Sequence, residues 1–356
     1  MPIKSSISHV GTKRRLPERI RLIAALLSVI ALIMILVAVL AFTRANRLMR
    51  RPAAPLETFS SNILPSFTPV CFLSLDNQTR LYGWFFAPKD PPVSTIILVH
   101  DQGRNRLQFG LDSADLYRFL LDRGFCVLAF DLRRSGESDG ELAGFGYAEW
   151  ADVLAAIRYV RQNASTRDVL LFGFGTGTAA SLLALEQLPP PGTLRAAADG
   201  QPEAEKKLAA YPEDIRNLDF DQGYIRGLLL DTPCSSADEY IRAHVRENRQ
   251  WDGQLLQHII PLAVRIASGH VGNGSTGLVT PLTRSQIPVF LAYSQEATRV
   301  SPESIARIVD ERLRLQADTT TIFATAEPGY INGFSADREN YLKALEEYLE
   351  PIASAR

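Results

Sequence analysis

The chain has 356 residues, 46% of them hydrophobic and 22% charged, which suits one large domain with additions or two domains and excludes wholesale disorder or collagen-like repeats. Three cysteines, Cys71, Cys126 and Cys234, cannot staple a disulfide scaffold, and no C-x-x-C pair marks a zinc site. The net charge of −1 joins two unlike parts: residues 1–51 carry ten Lys/Arg against the single acid Glu18, and the remainder carries 28 basic against 38 acidic residues. A body that acidic argues against nucleic acid as a partner.

Taken in chain order, residues 1–21 form a basic N-terminus. Residues 22–43 (LIAALLSVIALIMILVAVLAFT) hold no charge and are apolar on every face. About 20 such residues span a bilayer core, whereas a surface helix has a polar face and a signal peptide a shorter apolar region. With Arg44 following at once and no A-x-A cleavage site, the segment is read as an uncleaved single-pass anchor. Basic residues on both flanks suit anionic lipid, with a slight excess before the span. That excess places the N-terminus in the cytoplasm and the C-terminal domain on the outer face. Residues 44–62 are expected to form a basic and polar tether, and 63–356 the folded domain.

Within the domain, apolar runs alternate with helical patterns. Strands are expected at 81–86, 95–100, 125–130, 169–172, 228–230, 289–292 and 320–324, and helices at 115–122, 150–160, 178–188 and 337–349. In the second of these helices Trp150, Val153, Leu154, Ile157 and Val160 share one face. Alternation of this kind implies right-handed crossovers and a mostly parallel sheet covered by helices on both faces. Two stretches interrupt it. Residues 189–223, rich in Pro, Ala and charge, read as a surface insertion. Residues 237–285, with helical pieces at 240–246 and 255–268 and a glycine-rich turn at 272–277, read as a small helical cap over the C-terminal edge of the sheet.

Seven segments stand in a telling order: DNQTRLYGWFFAP (76–88), ILVHDQG (97–103), FDLRRSGESDG (130–140), FGYAEWADVLAAIRYV (145–160), LLFGFGTGTAA (170–180), GLLLDTPCSS (227–236) and GYINGFSADRENY (329–341). From residue 63 to 349 the chain resembles the α/β-hydrolase superfamily, in its branch of serine-aminopeptidase-like and acyl-ester-cleaving enzymes. The resemblance implies an α/β fold with a small cap, no cofactor and no metal. It also implies a nucleophile, an acid and a histidine in that chain order.

The seats for those three residues hold other side chains. The nucleophile belongs at the centre of G-x-S-x-G, and the chain has Gly175 there, between Gly173 and Gly177. Alignment on the strand and Pro302 puts Ala297 at the acid; Glu296 could serve only if the loop shifts, and Asp231, after the preceding strand, is a possible alternative acid. The histidine's seat holds Tyr330, and none of the five histidines follows His270. A phenol with a pKa near ~10 is a poor general base at neutral pH. The oxyanion loop reads His100-Asp101, where a carboxylate would oppose the negative charge that develops in acyl transfer. His100, Asp101, Gly103 and Thr176 are expected to line the pocket.

Other readings of the same residues are weaker. G-x-G at Gly173 and Gly175, with Thr178 in the third small position, lacks the acidic residue that a dinucleotide cradle needs at a later strand end. Cys234 and Thr176 have no histidine placed beside them by the fold, so a packed thiol and a structural hydroxyl are expected. His100 reads as structural, and His244, His258 and His270 as surface residues of the cap. Two functions follow. The first is a membrane-anchored, non-catalytic hydrolase-like domain that binds a small apolar ligand or a protein partner at the pocket and cap. The second is a membrane-anchored esterase or peptidase whose catalytic residues have relocated.

Overall fold

A computed structural model describes residues 17–58, 60, 62–247, 253–270 and 277–354. Residues 1–16, with His9 and most of the basic N-terminus, lie outside the described residues, as does the glycine turn at 272–277 apart from Gly277.

Helix α1, Glu18–Met49, contains an 18-residue window of mean hydropathy 3.2 with none of it buried. It is long and apolar enough to cross a membrane. It does not stop at residue 43, because nothing in TRANRLM (43–49) breaks a helix: Ala, Arg, Leu and Met all favour continuation. The start of the expected tether is therefore helical, and it is docked. Ala41, Ala45, Leu48 and Met49 are at most 1% exposed, and their spacing puts them on one stripe. The Ala143 N–H donates to the Met49 carbonyl at 3.0 Å, Arg134 donates to the Arg50 carbonyl at 3.0 Å, and Arg50 pairs with Glu141 at 3.3 Å.

Eight strands form one sheet: β1 Thr68–Leu73, β2 Arg80–Phe86, β3 Thr95–Val99, β4 Cys126–Phe130, β5 Val169–Phe174, β6 Ile225–Asp231, β7 Val289–Ser294 and β8 Thr320–Thr325. Their order is β1-β2-β4-β3-β5-β6-β7-β8, antiparallel at β1/β2 and β2/β4 and parallel throughout the rest. The buried strands β3, β4 and β5 are the continuous apolar runs that a sheet covered on both faces requires. Strand β1 carried no such run. It is an edge strand, mostly exposed and interrupted by Pro69.

Helices α2 Ser113–Asp122, α3 Trp150–Asn163 and α4 Thr176–Gln187 follow β3, β4 and β5. The insertion folds as α5 Thr193–Ala198, α6 Pro202–Ala209 and α7 Glu213–Arg216, and the cap as α8 Ala237–Glu247, α9 Gln254–Ala267 and α10 Val279–Arg284. Then come α11 Pro302–Gln316, α12 Gly333–Ala336 and α13 Arg338–Ser354. Helix α11 had a signature that the chain-order reading passed over: Ser301 caps it by accepting from the Ser304 N–H, Pro302 opens it, and Ile305, Ile308 and Val309 face inward. One core cluster joins α3, α4, α11, the cap and the end of α1 to one face of the sheet; the other packs α2, α12 and α13 on the opposite face.

Candidate active site

Strand β5 ends at Phe174 and α4 begins at Thr176, so a single residue turns the chain. Gly175 does so at φ 50° and ψ −116°, a conformation strained for any residue with a Cβ. The flanking glycines let backbones touch: a Cβ on Gly173 would lie 2.6 Å from the Gly177 carbonyl oxygen, and one on Gly177 would overlap the Val99 carbonyl of β3. The sharp strand-to-helix elbow is thus fully built around a residue with no side chain.

The space above the elbow is filled from two directions. A Cβ on Gly175 would overlap the Tyr330 hydroxyl and Oδ1 of Asp101. Asp101 Oδ1 accepts from the Thr176 N–H at 2.9 Å, from the Thr176 hydroxyl at 3.0 Å and from the Tyr330 hydroxyl at 2.9 Å. Arg299 Nη1 lies 3.7 Å from Asp101 Oδ2, and its guanidinium stands 5.0 Å from the centre of the Tyr330 ring. Burial and the Asp101 carboxylate raise the Tyr330 pKa well above a free phenol, which keeps it a protonated donor.

In a hydrolase of this fold the N–H after the nucleophile and one from the loop after β3 form the oxyanion hole. Here each has an internal acceptor. Thr176 N–H is taken by Asp101, Asp101 N–H donates to Gln108 Oε1 at 2.8 Å, and Gln102 N–H donates to Thr176 Oγ1 at 2.7 Å. The carboxylate expected to repel an oxyanion in fact sits on the donor that would bind one. The loop that presents Asp101 and Gln108 is fixed from below: buried Asp131, in the 130–140 segment, takes Arg106 through its N–H at 2.7 Å and its Nη2 at 2.5 Å.

The remaining predicted residues divide. Ala297 comes to the site, because it forms a parallel bridge to Gly329, next to Tyr330. Glu296 is exposed, and its backbone is engaged at both ends: its carbonyl accepts the Gly329 N–H and its own N–H donates to the Ser294 hydroxyl, both at 3.2 Å. Asp231 is buried at the end of β6 and bonded to the Tyr341 and Thr232 hydroxyls, both at 2.9 Å. Burial pushes its carboxyl up to about 7. Its carbonyl accepts the Gly175 N–H at 2.9 Å, so it braces the elbow through its backbone.

Elbow, strand order and seat positions together identify the fold, and the profile of the Alpha/beta hydrolase family matches residues 96–327. The chain belongs to the alpha/beta hydrolase family. It is 20% identical over 269 residues, 75% of this chain and 74% of the other, to the uncharacterized protein YqkD of Bacillus subtilis strain 168. Among solved structures, the esterase Pf2001 of Pyrococcus furiosus matches with TM-score 0.59 at 16% identity, covering 85% of this chain and 98% of that one. Est1E of Butyrivibrio proteoclasticus, solved with ferulic acid bound, matches with TM-score 0.51 at 14% identity over 79% and 98%.

Set against its family, this alpha/beta hydrolase chain keeps its described histidines away from the usual seat, which holds Tyr330. His100 is buried, its Nδ1 2.8 Å from the Asp101 carbonyl and its Nε2 accepting the Leu132 N–H at 2.9 Å; burial lowers its pKa. His244, expected on the surface, is 4% exposed and lines the pocket. The reason was visible in α8, where Tyr240, Ile241, His244 and Val245 fall on one apolar face. Its Nδ1 is 2.9 Å from the Tyr240 carbonyl, and its Nε2 accepts from Arg299 Nη2 at 2.8 Å. Burial, with Arg299 beside it, lowers its pKa. His258 is exposed on α9, and the His270 ring packs 4.8 Å from that of Tyr147. Cys234 is fully buried, and burial raises its thiol pKa. Among the described residues no group of three His, Cys, Asp or Glu could hold a metal ion.

Above the elbow lies a cavity of about 690 Å³, within the usual range for small-molecule sites. Asp101, Gln102, Gly103, Gln108, His244, Arg299 and Tyr330 form its floor and walls, while Leu48 of α1 and Arg51 just beyond the helix, with Glu57 and Arg104, stand around it. Sequence reasoning missed Arg299, two positions beyond Ala297 in the acid loop.

Proposed function

We propose that this alpha/beta hydrolase-fold protein is a bilayer-anchored, non-catalytic member of its family that binds a small polar ligand in the cavity above the elbow. One observation carries the reading: the Asp101 carboxylate sits on the Thr176 N–H, so the position of an acyl oxyanion is held by the protein's own negative charge. Gly175 beneath it brings no side-chain nucleophile, and the oxygens that fill its seat are the Tyr330 phenol and the Asp101 carboxylate. The cavity walls are mostly polar, with Arg51 and Arg104 exposed beside it. That favours a ligand bearing an anionic group over the apolar ligand that the fold alone suggested.

Two features of α1 support the anchor. Its apolar window is exposed to the surroundings along its whole length. Its last turns are part of the domain core and pack on α9, so removing it as a signal sequence would uncover the face of α9 turned toward it. With α1 crossing the membrane and the small basic excess before it, the domain faces outward.

The second reading, a working esterase with relocated groups, draws on the esterase neighbours and on His244 in the cavity. Both ring nitrogens of His244 are already engaged, by the Tyr240 carbonyl and by Arg299, and the Thr176 hydroxyl is committed to Asp101 and Gln102. A fluorophosphonate probe applied to the purified full chain separates the readings. No heat-sensitive labelling and no turnover of a nitrophenyl ester are expected. Labelling that disappears when one pocket residue is mutated would overturn the proposal.

A further inference from the structure

Helix α9 carries two apolar faces, and the core uses one. Ile260, Ala263 and Val264 are buried, whereas Leu255, Leu262 and Ile266 are 59%, 45% and 41% exposed, with Ile259 partly buried between them. Positions 255, 259, 262 and 266 fall on a single stripe. Outside α1, the exposed large hydrophobic residues among those described are these three and the isolated Leu73 and Leu315. Scattered single residues are ordinary on a soluble surface; a row of aliphatic side chains along one helix is not.

The location of the stripe says what covers it. Helix α9 packs against α1, and the part of α1 drawn into the core is Ala41, Ala45, Leu48 and Met49. Ala41 lies inside the uncharged run 22–43. Ala41 and Ala45, four residues apart, are small enough for another helix to approach closely. A helix packed on that level of a bilayer-spanning segment lies at the membrane surface. The exposed stripe of α9 is continuous in chemistry with Leu40 and Phe42 of α1, 40% and 42% exposed. Polar groups border it: His258 is exposed, and Arg265 lies 3.6 Å from Asp238.

We propose that α9 lies in the boundary between headgroups and acyl chains of the membrane that α1 crosses, its 255/259/262/266 stripe in contact with lipid. This rests on the reading of α1 as a bilayer span. An interfacial helix of this kind adds a second attachment to the first. Two attachments fix the tilt and rotation of the domain, and they hold the cavity, with Leu48 and Arg51 at its edge, against the headgroup layer. A ligand bearing an anionic group can then reach the cavity along the membrane surface.

Depth-dependent fluorescence quenching tests the placement. The full chain carries Cys71→Ser to remove its exposed thiol, Cys126 and Cys234 being buried. Single cysteines are introduced as Leu262→Cys, Leu255→Cys, Ile33→Cys and, as a reference on α6, Lys206→Cys. Each is labelled with NBD and reconstituted in phosphatidylcholine vesicles containing lipids with a nitroxide high or low on the acyl chain. The 262 and 255 labels are expected to lose about half their emission to the shallow nitroxide, the 33 label to respond most to the deep one, and the 206 label to neither. If the 33 label is quenched and the 255 and 262 labels are not, the second attachment is wrong and the span stands. If no label is quenched, both are wrong. Blue-shifted but unquenched emission at 262 would mean that a second copy of the chain covers the stripe, which also overturns the proposal.

Discussion

Substituting Gly175 by serine asks whether the nucleophile's seat is empty or occupied. Two penalties combine in the variant. At φ 50° and ψ −116°, a residue with a Cβ carries roughly 1–3 kcal/mol of backbone strain. The new Cβ also overlaps the Tyr330 hydroxyl and Asp101 Oδ1. Neither is the loose end of a flexible chain, since they are bonded to each other at 2.9 Å and Asp101 is bonded again to Thr176. Crowding of that kind adds roughly 1–3 kcal/mol. The total of about 2–6 kcal/mol should lower the Tm of a domain this size by roughly 5–20 °C, at about 2–4 °C per kcal/mol. Thermal unfolding of the full chain in detergent, followed by tryptophan fluorescence, reads the shift. Repeating the substitution in an Asp101→Gly background removes half of the overlap, so the effect of the serine should shrink by at least about 1 kcal/mol, a coupling expected only between groups in contact. A Gly175→Ser protein that melts at or above the parent temperature, or that acquires fluorophosphonate reactivity, would refute the reasoning.

Three further outcomes follow from buried charge. Burial raises Asp231 to about 7, so the folded state holds a proton that the unfolded chain has released, and stability declines as pH rises toward 7. Urea unfolding at pH 5 and pH 8 should therefore show Asp231→Asn gaining on the parent by up to about 3 kcal/mol across that interval; a difference independent of pH would contradict the assignment. Arg312 is wholly buried and binds the carbonyls of Leu282, Ser285 and Ile287 at 2.8, 2.5 and 2.9 Å, and burial lowers its pKa to about 10. Arg312→Leu strands those carbonyls and should destabilise the protein by about 3 kcal/mol or more, Arg312→Lys by somewhat less because the fork is lost; an unchanged urea midpoint would remove the clamp from the account. Asp101→Asn keeps the shape but weakens the bonds from Thr176 and Tyr330, which should lower stability by about 1–2 kcal/mol without creating esterase activity; turnover appearing in that variant would show that only the charge had blocked the hole.

Much of the architecture was legible because the physics behind it is local. Runs such as Ile96–Val99 and Val169–Phe172 can only be strands buried on both faces, and a glycine elbow between strand and helix announces its own turn. What escaped detection depends on pairing at a distance. Strand β1 is a strand because β2 lies beside it, not because TPVCFL has a marked pattern. The role of Arg299 needs α8 to bring His244 and Glu247 to the acid loop. The helix runs on past the expected span because charge counting marks where a bilayer core stops, whereas a helix stops only where its backbone does.

Asp101 shows why the altered seats are better regarded as one unit than as separate losses. Taken alone along the sequence, it is a carboxylate in the wrong place. In the fold, it reaches the Thr176 N–H because Gly175 leaves room, and Tyr330 extends to the same oxygen because no histidine is needed there to meet a serine. Each substitution therefore creates the space or the donor that the next one uses. Restoring a serine alone meets the Tyr330 hydroxyl, and restoring a histidine alone leaves the Asp101 charge with one donor fewer. Clearing Asp101 alone leaves a buried N–H without an acceptor. On the non-catalytic reading proposed above, no single one of these reversions would rebuild a hydrolytic site without first costing stability.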